Sequence, residues 1–299
     1  MEPTPSKKLA PIIVAGASGY LGQHILHELK DRGIPFKALV RNPEKLKIKL
    51  KAEQIIKAEA TQAESLKGVM DGASMIISSL GITRQKDGLS YWDVDYQANV
   101  NLLKEAEAAG LQKFVYVSVF NAHQLKGIQI IEAKEAFVKE LQQSSISSQV
   151  IRPTGYFSDM ADFLQMAAKG KVYLFGDGHC KLNPIHGADL AEFIVNSLSS
   201  KAKELNVGGP DLLSQNEIAA LALDAYYKEL KIVHLPDGLR KLIIASLKLF
   251  TSAKFYGPYE FFLSAMALHH AAPRFGHRRL YQFFQEEVNE ARKENDADH

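Results

Sequence analysis

The stretch Pro11-Ile-Ile-Val-Ala-Gly16-Ala-Ser-Gly19-Tyr-Leu-Gly22 runs directly into Gln23-His-Ile-Leu-His-Glu-Leu-Lys30, and the fold turns on how it is read. Pro11–Ala15 is short, apolar and β-rich, whereas the residues from Gly22 to Arg32 carry helical spacing. A second β-rich run, Phe36–Val40, closes a strand–helix–strand unit. Working outward, further strands are expected at Gln54–Lys57, Met75–Ser79, Lys113–Ser118, Ser148–Arg152 and Glu204–Val207. Helices are expected at Gly22–Arg32, Ala63–Met70, Asp93–Ala109, Ile131–Gln143 and Asp189–Leu198. In Asp93–Ala109, Val94, Ala98, Leu102 and Ala106 fall on one face. Strands alternating with helices in this way pair in parallel through right-handed crossovers. Several of these runs are apolar almost throughout, which suits strands covered on both faces. The expected fold is α/β, a doubly wound parallel sheet with a smaller C-terminal substrate region and a helical extension.

Each glycine between the first strand and the first helix has a physical reason to be there. Gly16 allows the tight turn, Gly19 lets the backbone come close to a diphosphate, and Gly22 lets helix and strand pack closely. The helix start offers unpaired N–H groups and a positive dipole end to phosphates. This is the Rossmann-type dinucleotide signature, and the intervening Ser18, Tyr20 and Leu21 join the expected contact set. An NAD-preferring site carries an acid at the end of the second strand, roughly 20 residues past the glycines, to bond the ribose 2′-hydroxyl. Here that place holds Val40-Arg41-Asn42. A guanidinium suits a 2′-phosphate through charge-assisted bonds, so the expected cofactor is NADP(H), selected by Arg41. The lysines from Lys45 to Lys51 add positive potential and read as a solvated segment rather than as direct contacts.

The 299 residues, at roughly 150 per domain, allow two domains or one large unit. Hydrophobic residues at 46% and charged residues at 23% describe an ordinary globular chain. A net charge of +2 argues against a nucleic-acid partner. One cysteine, Cys180, cannot form an internal disulfide, and no apolar run is long enough for a transmembrane helix. The N-terminal residues read as a disordered lead rather than a signal peptide, and the setting as cytoplasmic. The expected division is 9–155 for the dinucleotide-binding core, 156–235 for a substrate region interleaved with it, and 236–299 for the helical extension. From Gly155 onward the pattern turns irregular, and the polar Ala291–His299 tail reads as frayed.

Gly16–Gly22, Ala38-Leu-Val-Arg-Asn-Pro-Glu-Lys45, Ile55–Leu66 and Asp93–Ser118 together resemble atypical short-chain dehydrogenases/reductases of the NmrA-like kind, over about Pro11 to Gly209. That group includes isoflavone-type reductases, vinyl reductases of chlorophyll synthesis and non-catalytic regulators. The resemblance implies that Glu59 stands where relatives carry an aspartate touching the adenine. It also implies that Ser79, Leu80 and Gly81 close over the cofactor, with Pro153 and Gly155 beside it after the sixth strand.

The superfamily's chemistry uses a serine at the end of the fifth strand and a tyrosine four residues before a lysine. Ser118 and Lys134 stand in those places, but the tyrosine position holds Ile130, which carries no proton. Three readings follow. Lys134, a cap residue or water supplies the proton, since hydride transfer itself is the cofactor's chemistry. Alternatively NADPH is bound without turnover. In the third, Tyr156, just past the sixth strand, substitutes for the missing tyrosine. Asp95 occupies the place where relatives carry an asparagine that anchors the lysine. The catalytic candidates are therefore Lys134, Ser118 and Tyr156.

His186 and Asp189 are spaced to cap and start a helix, which outweighs a catalytic role. His179 lies on a glycine loop where substrate can reach it. Cys180 lacks spaced partner ligands, so no metal is expected. His269 and His270 are expected on different faces of a helix and do not form a ligand pair. Gly238–Phe250 reads as a buried helix closing a cap or a dimer face, with a membrane-surface helix as the alternative. The expected function is NADPH-dependent reduction of a small, partly apolar organic substrate; the alternative is a non-catalytic NADP-binding sensor, regulator or assembly factor.

Overall fold

A computed structural model describes residues 10–82 and 88–297. The N-terminal lead lies almost wholly outside these. Six strands follow the order of the chain: β1 (Ile12–Ala15), β2 (Phe36–Val40), β3 (Ile55–Lys57), β4 (Met75–Ser78), β5 (Lys113–Val117) and β6 (Ser147–Pro153). After two short strands, β7 (Val172–Phe175) and β8 (Lys181–Leu182), comes β9 (Glu204–Val207), which completes a seven-stranded sheet. Its order is β3-β2-β1-β4-β5-β6-β9 and every pairing is parallel. The order reverses between β1 and β4, where a ligand crevice opens beyond the strands' carboxyl ends.

The alternation of β1 sorts its side chains to the two faces. Ile12 and Val14 pack under α1 (Tyr20–Asp31), and Ile13 and Ala15 pack on the opposite side with α2 (Asn99–Ala108) and α3 (Gln129–Gln143). Val94, Ala98, Leu102 and Ala106 are all buried, as their spacing required. The helix carrying them nevertheless opens with a π-helical run, Trp92–Ala98, before becoming α-helical. The helix expected at Ala63–Met70 is only a 3-10 turn, Ala63–Leu66. With Gly68 and Gly72 both at positive φ, the chain turns back instead of propagating.

The stretch expected to be irregular is ordered. Besides the expected helix, present as α5 (Gly187–Ser197), it contains α4 (Ala161–Ala168), β10 (Leu213–Ser214), α6 (Gln215–Ala225) and β11 (Ile232–Leu235). β10 pairs antiparallel with β8, and β11 pairs parallel with β7. Phe157, Phe163, Leu174, Ile218 and Phe284 form the core of this cap. Phe284 belongs to α9 (Leu280–Ala297), which stays helical through Ala297, so the frayed tail expected from Ala291 is corrected.

α7 (Asp237–Phe250) and α8 (Ala253–Met266) form a hairpin against the cap. Among the described residues nothing buries any residue of α7, so the expectation of a helix buried against the cap is corrected: Leu242, Leu249 and Phe250 lie on the surface of the single chain. His269 and His270 lie past the end of α8, not on a helix, and His270 bridges to Leu182. Among the described residues no helix is long and apolar enough to cross a membrane.

Candidate active site

The loop after β1 makes its turn at Gly16, whose φ of +76° is costly for any residue with a side chain. A Cβ on Gly22 would lie 2.1 Å from the Gly16 carbonyl oxygen, so α1 can approach the loop only with glycine at that place. α1 starts at Tyr20 rather than Gly22, with Gly19 as its N-cap. No side chain caps this end and no acid lies in its first turn. Such a helix start presents amide donors and a positive dipole end to the crevice, which is the chemistry a diphosphate requires.

Beside it lies a cavity of about 290 Å³ lined by Gly16, Ser18, Arg41, Glu59 and Leu80 from the expected contact set. Lys45 and Thr61 line it as well. Lys45, like Lys47, Lys49 and Lys51, is exposed, as expected of a solvated segment, and it stands at the rim of this cavity. Glu59 lies 3.6 Å from Arg41 through Oε2 and Nε, and its Oε1 accepts a hydrogen bond from the Thr61 hydroxyl at 3.0 Å. Two other members of the set sit differently. Leu21 is buried in the core under the sheet, leaving only its backbone to face the crevice. The Tyr20 hydroxyl accepts a 3.0 Å hydrogen bond from the Gly187 amide at the start of α5, and its ring meets His24 edge-on.

A second cavity, of about 210 Å³, opens farther along the strand ends. Ser79, Gly81, Ser118, Lys134, Pro153, Gly155 and Tyr156 all line it. Lys134 Nζ lies 2.9 Å from Asp95 Oδ1, and Asp95 is fully buried. Burial works against the Lys134 ammonium, but Tyr116, Asp95 and Tyr156 hold its pKa above that of an ordinary lysine. Its Nζ is also 5.5 Å from the centre of the Tyr116 ring. Burial raises the pKa of Tyr116 to about 12 and pushes that of Tyr156 up as well, so both keep their protons at neutral pH. A Cβ on Gly81 would stand 2.6 Å from Asp95 Oδ1 and 2.8 Å from Lys134 Nζ, so this backbone can lie against the pair only as glycine.

Ile130 is buried and lines the same cavity, one helical turn before Lys134, as an apolar wall in place of the tyrosine. Ser118 lines the cavity, but its hydroxyl is engaged elsewhere. It donates to Glu135 Oε1 at 2.8 Å and accepts from Arg152 Nη1 at 3.3 Å. Arg152 in turn holds both Glu135 oxygens, at 2.6 and 2.8 Å, and reaches Glu204 at 2.9 Å. A hydroxyl that donates to this part-buried ion-pair network has no proton left to donate to a carbonyl in this arrangement.

His270, to which the sequence gives no role, also lines this cavity. It is 7% exposed, and its Nε2 is buried with no hydrogen-bond partner among the described residues. Burial lowers its pKa, so the ring is neutral. The β-bridge to Leu182 that carries it here links segments far apart in sequence and leaves no local signal. His186 caps α5, its Nδ1 accepting from the Ala188 amide at 3.1 Å. Asp189 binds the Arg278 guanidinium and the backbone amides of His277 and Arg278, tying the approach to α9 onto α5.

Residues 16–201 match the family described as NAD(P)H-binding. The chain belongs to this NAD(P)H-binding family. The expectation of NAD(P)H binding is thereby met. Among curated relatives, the rice (Oryza sativa subsp. indica) chloroplastic divinyl chlorophyllide a 8-vinyl-reductase is 29% identical over 231 residues, covering 69% of this chain and 57% of the relative. The photosystem II assembly factor Ycf39 of Guillardia theta is 26% identical over 191 residues, covering 63% of this chain and 60% of the factor. The chain therefore spans less than two thirds of the length of either relative. Among solved structures, the Escherichia coli NADPH-dependent quinone oxidoreductase QOR2 with NADPH superposes with a TM-score of 0.69 at 19% identity, covering 93% of this chain and 99% of that one. A Staphylococcus aureus nucleoside-diphosphate-sugar epimerase gives a TM-score of 0.67 at 17% identity, over 92% of this chain and 99% of that one. Both share the fold.

Proposed function

We propose that the protein is an NADPH-dependent reductase of a small, partly apolar organic molecule bound in the Lys134 cavity. The observation that carries this reading is the convergence of Lys134, Tyr156 and Gly81 on one small cavity at the strand ends, beyond the dinucleotide crevice. Arg41 and Lys45 supply the positive charge that favours a 2′-phosphate. When bound, NADPH supplies a hydride. The protein's own share is then to place and polarise the acceptor. Lys134, held by Asp95, puts a permanent positive charge at the cavity wall, where negative charge develops on a reduced carbonyl or conjugated acceptor. Tyr156 keeps its proton until that charge forms and donates it from its hydroxyl. His270 Nε2 is the neutral polar partner for a substrate heteroatom, and Ile130, Met160 and Phe261 exclude water.

The test is NADPH oxidation by the purified full chain with quinones and enones. Tyr156→Phe should lower kcat roughly 100-fold or more while leaving NADPH affinity unchanged. A second reading, NADP binding without turnover by a regulator or assembly factor, is favoured by Ile130 and by the commitment of Ser118 to Glu135. Tight NADPH binding with no oxidation across both substrate panels would establish it in place of the first. We further assign a cytoplasmic setting, consistent with the single cysteine, and peripheral membrane contact through the surface of α7.

A further inference from the structure

Helix α8 separates two hollows. Pro258, Phe261 and Ala265 face the Lys134 cavity, and Tyr259 and Leu263 face a larger one of about 580 Å³. Phe262 and Met266, one turn apart on the stripe between those faces, line both. The remaining walls of the large groove are apolar where they are deepest: Phe163 of α4 and Leu174 of β7 are buried and belong to the cap core. Its polar groups are few. Arg240 is paired with Asp237 at 2.6 Å, the buried Gln215 amide donates to the Met266 carbonyl, Lys169 and Gln165 are exposed at the edge, and Asp162 is half-buried.

We propose that this groove is the subsite for the apolar chain of an amphiphilic substrate, an alkyl or prenyl-like tail, whose reducible head lies against Lys134. The inference rests on the reductase reading and narrows its substrate class. Three features support a single molecule across both hollows. The head cavity, at about 210 Å³, is far smaller than the groove beside it, at about 580 Å³. The throat residues are a methionine, whose unbranched side chain repacks at little cost, and a phenylalanine that is only partly buried. The same helix carries Pro258 in its interior, which removes one backbone hydrogen bond and eases bending where the two hollows meet. A groove with apolar depth and a wet rim takes a chain that enters lengthwise, with methylenes inside and no polar group to satisfy.

The experiment uses the full chain with methyl-1,4-benzoquinone and decyl-1,4-benzoquinone as probes. Their Kd values are measured with NADP⁺ present, where no reduction occurs, and KM and kcat are measured with NADPH. The decyl probe should bind roughly 30-fold or more tightly than the methyl probe, given the gain expected per buried methylene. Leu263→Trp and, independently, Met166→Trp should fill the groove and remove most of that advantage while leaving the methyl probe's Kd unchanged. Equal affinity for the two probes, or a decyl advantage untouched by both variants, would overturn the subsite and leave the reductase reading intact if both probes are turned over. Tight, groove-dependent decyl binding without any NADPH oxidation would keep the subsite and overturn the reductase reading.

Discussion

The Lys134 ammonium and the Asp95 carboxylate face one another at 2.9 Å, with Asp95 wholly buried and Gly81 packed so closely that no side chain fits there. The pair unites the π-helical run with α3 and fixes the cation that lines the candidate substrate cavity. Removing one partner leaves the other charge buried and uncompensated, which typically costs about 3–5 kcal/mol, whereas removing both costs less. Lys134→Met is therefore expected to lower stability by roughly 3 kcal/mol and to abolish turnover. Lys134→Met combined with Asp95→Leu should recover much of the stability and none of the activity. Urea unfolding of the four members of the cycle measures the coupling.

Arg41 and Glu59 share the wall of the dinucleotide cavity, at 3.6 Å from one another. A 2′-phosphate placed beside Arg41 competes with that carboxylate for the guanidinium. Arg41→Ala should weaken NADPH binding roughly 10- to 100-fold, the loss of one or two charge-assisted bonds, and leave NADH binding nearly unchanged. Glu59→Gln should act in the opposite direction and tighten NADPH severalfold. Calorimetric titration of both nucleotides checks the pair, and equal affinities for NADPH and NADH in the unmutated protein would remove Arg41 as the selector.

What the sequence made legible follows from where its signals are local. Strands β1, β2, β4 and β5 stand out because buried parallel strands are short, mostly apolar runs, and the Gly16–Gly22 loop joins a strand to a helix with no long-range partner needed. The cap was opaque for the opposite reason. β8 is two residues long and forms because Leu182 and Lys181 pair with Leu213 and Ser214, far along the chain. Ser118 shows the same limit inside the site: its place at the end of β5 was readable, but the direction of its hydroxyl is set by Arg152 on β6 and Glu135 on α3. For α7, apolar composition suggested burial, and only the packing of the cap shows that Leu242, Leu249 and Phe250 stay largely exposed among the described residues.

His24 stands between His186, with ring centres 5.3 Å apart, and Tyr20. Burial, reinforced by His186, His27, Arg278 and Lys47, lowers its pKa to about 4. The unfolded chain takes up a proton near the ordinary value of about 6.5, and the folded chain resists it until about 4. The contribution to stability is therefore complete above pH 6.5 and is lost progressively as pH falls toward 4. Because the side chain retains some solvent access, a loss of roughly 1–3 kcal/mol is expected across that window. Urea midpoints at a series of pH values should show the decline, and His24→Gln should reduce it between pH 6.5 and 5, leaving the parts that His186 and His270, also lowered by burial, contribute.

The stretch Leu239–Tyr259 carries Arg240, Lys241, Lys248 and Lys254 and no acidic residue. Along it Leu242 is 61% exposed, Leu249 76%, Phe250 80% and Phe255 53%, which gathers apolar and cationic groups at the turn between α7 and α8. Part of that charge is compensated, since Lys248 is bonded to Glu260 at 2.6 Å, and Arg240 and Lys241 to Asp237 at 2.6 and 3.2 Å. Exposed apolar residues beside Lys254 and the exposed Lys241 side chain are the pattern of a helix lying in an anionic bilayer surface. Flotation with vesicles containing phosphatidylserine should carry the full chain upward, and purely zwitterionic vesicles should carry much less. Leu249→Ser combined with Phe250→Ser should abolish flotation without lowering NADPH affinity, because neither side chain lines the crevice. A protein that stays at the bottom of both gradients, and that loses a dimeric state when these two residues are replaced, would instead assign the same surface to a second copy of the chain.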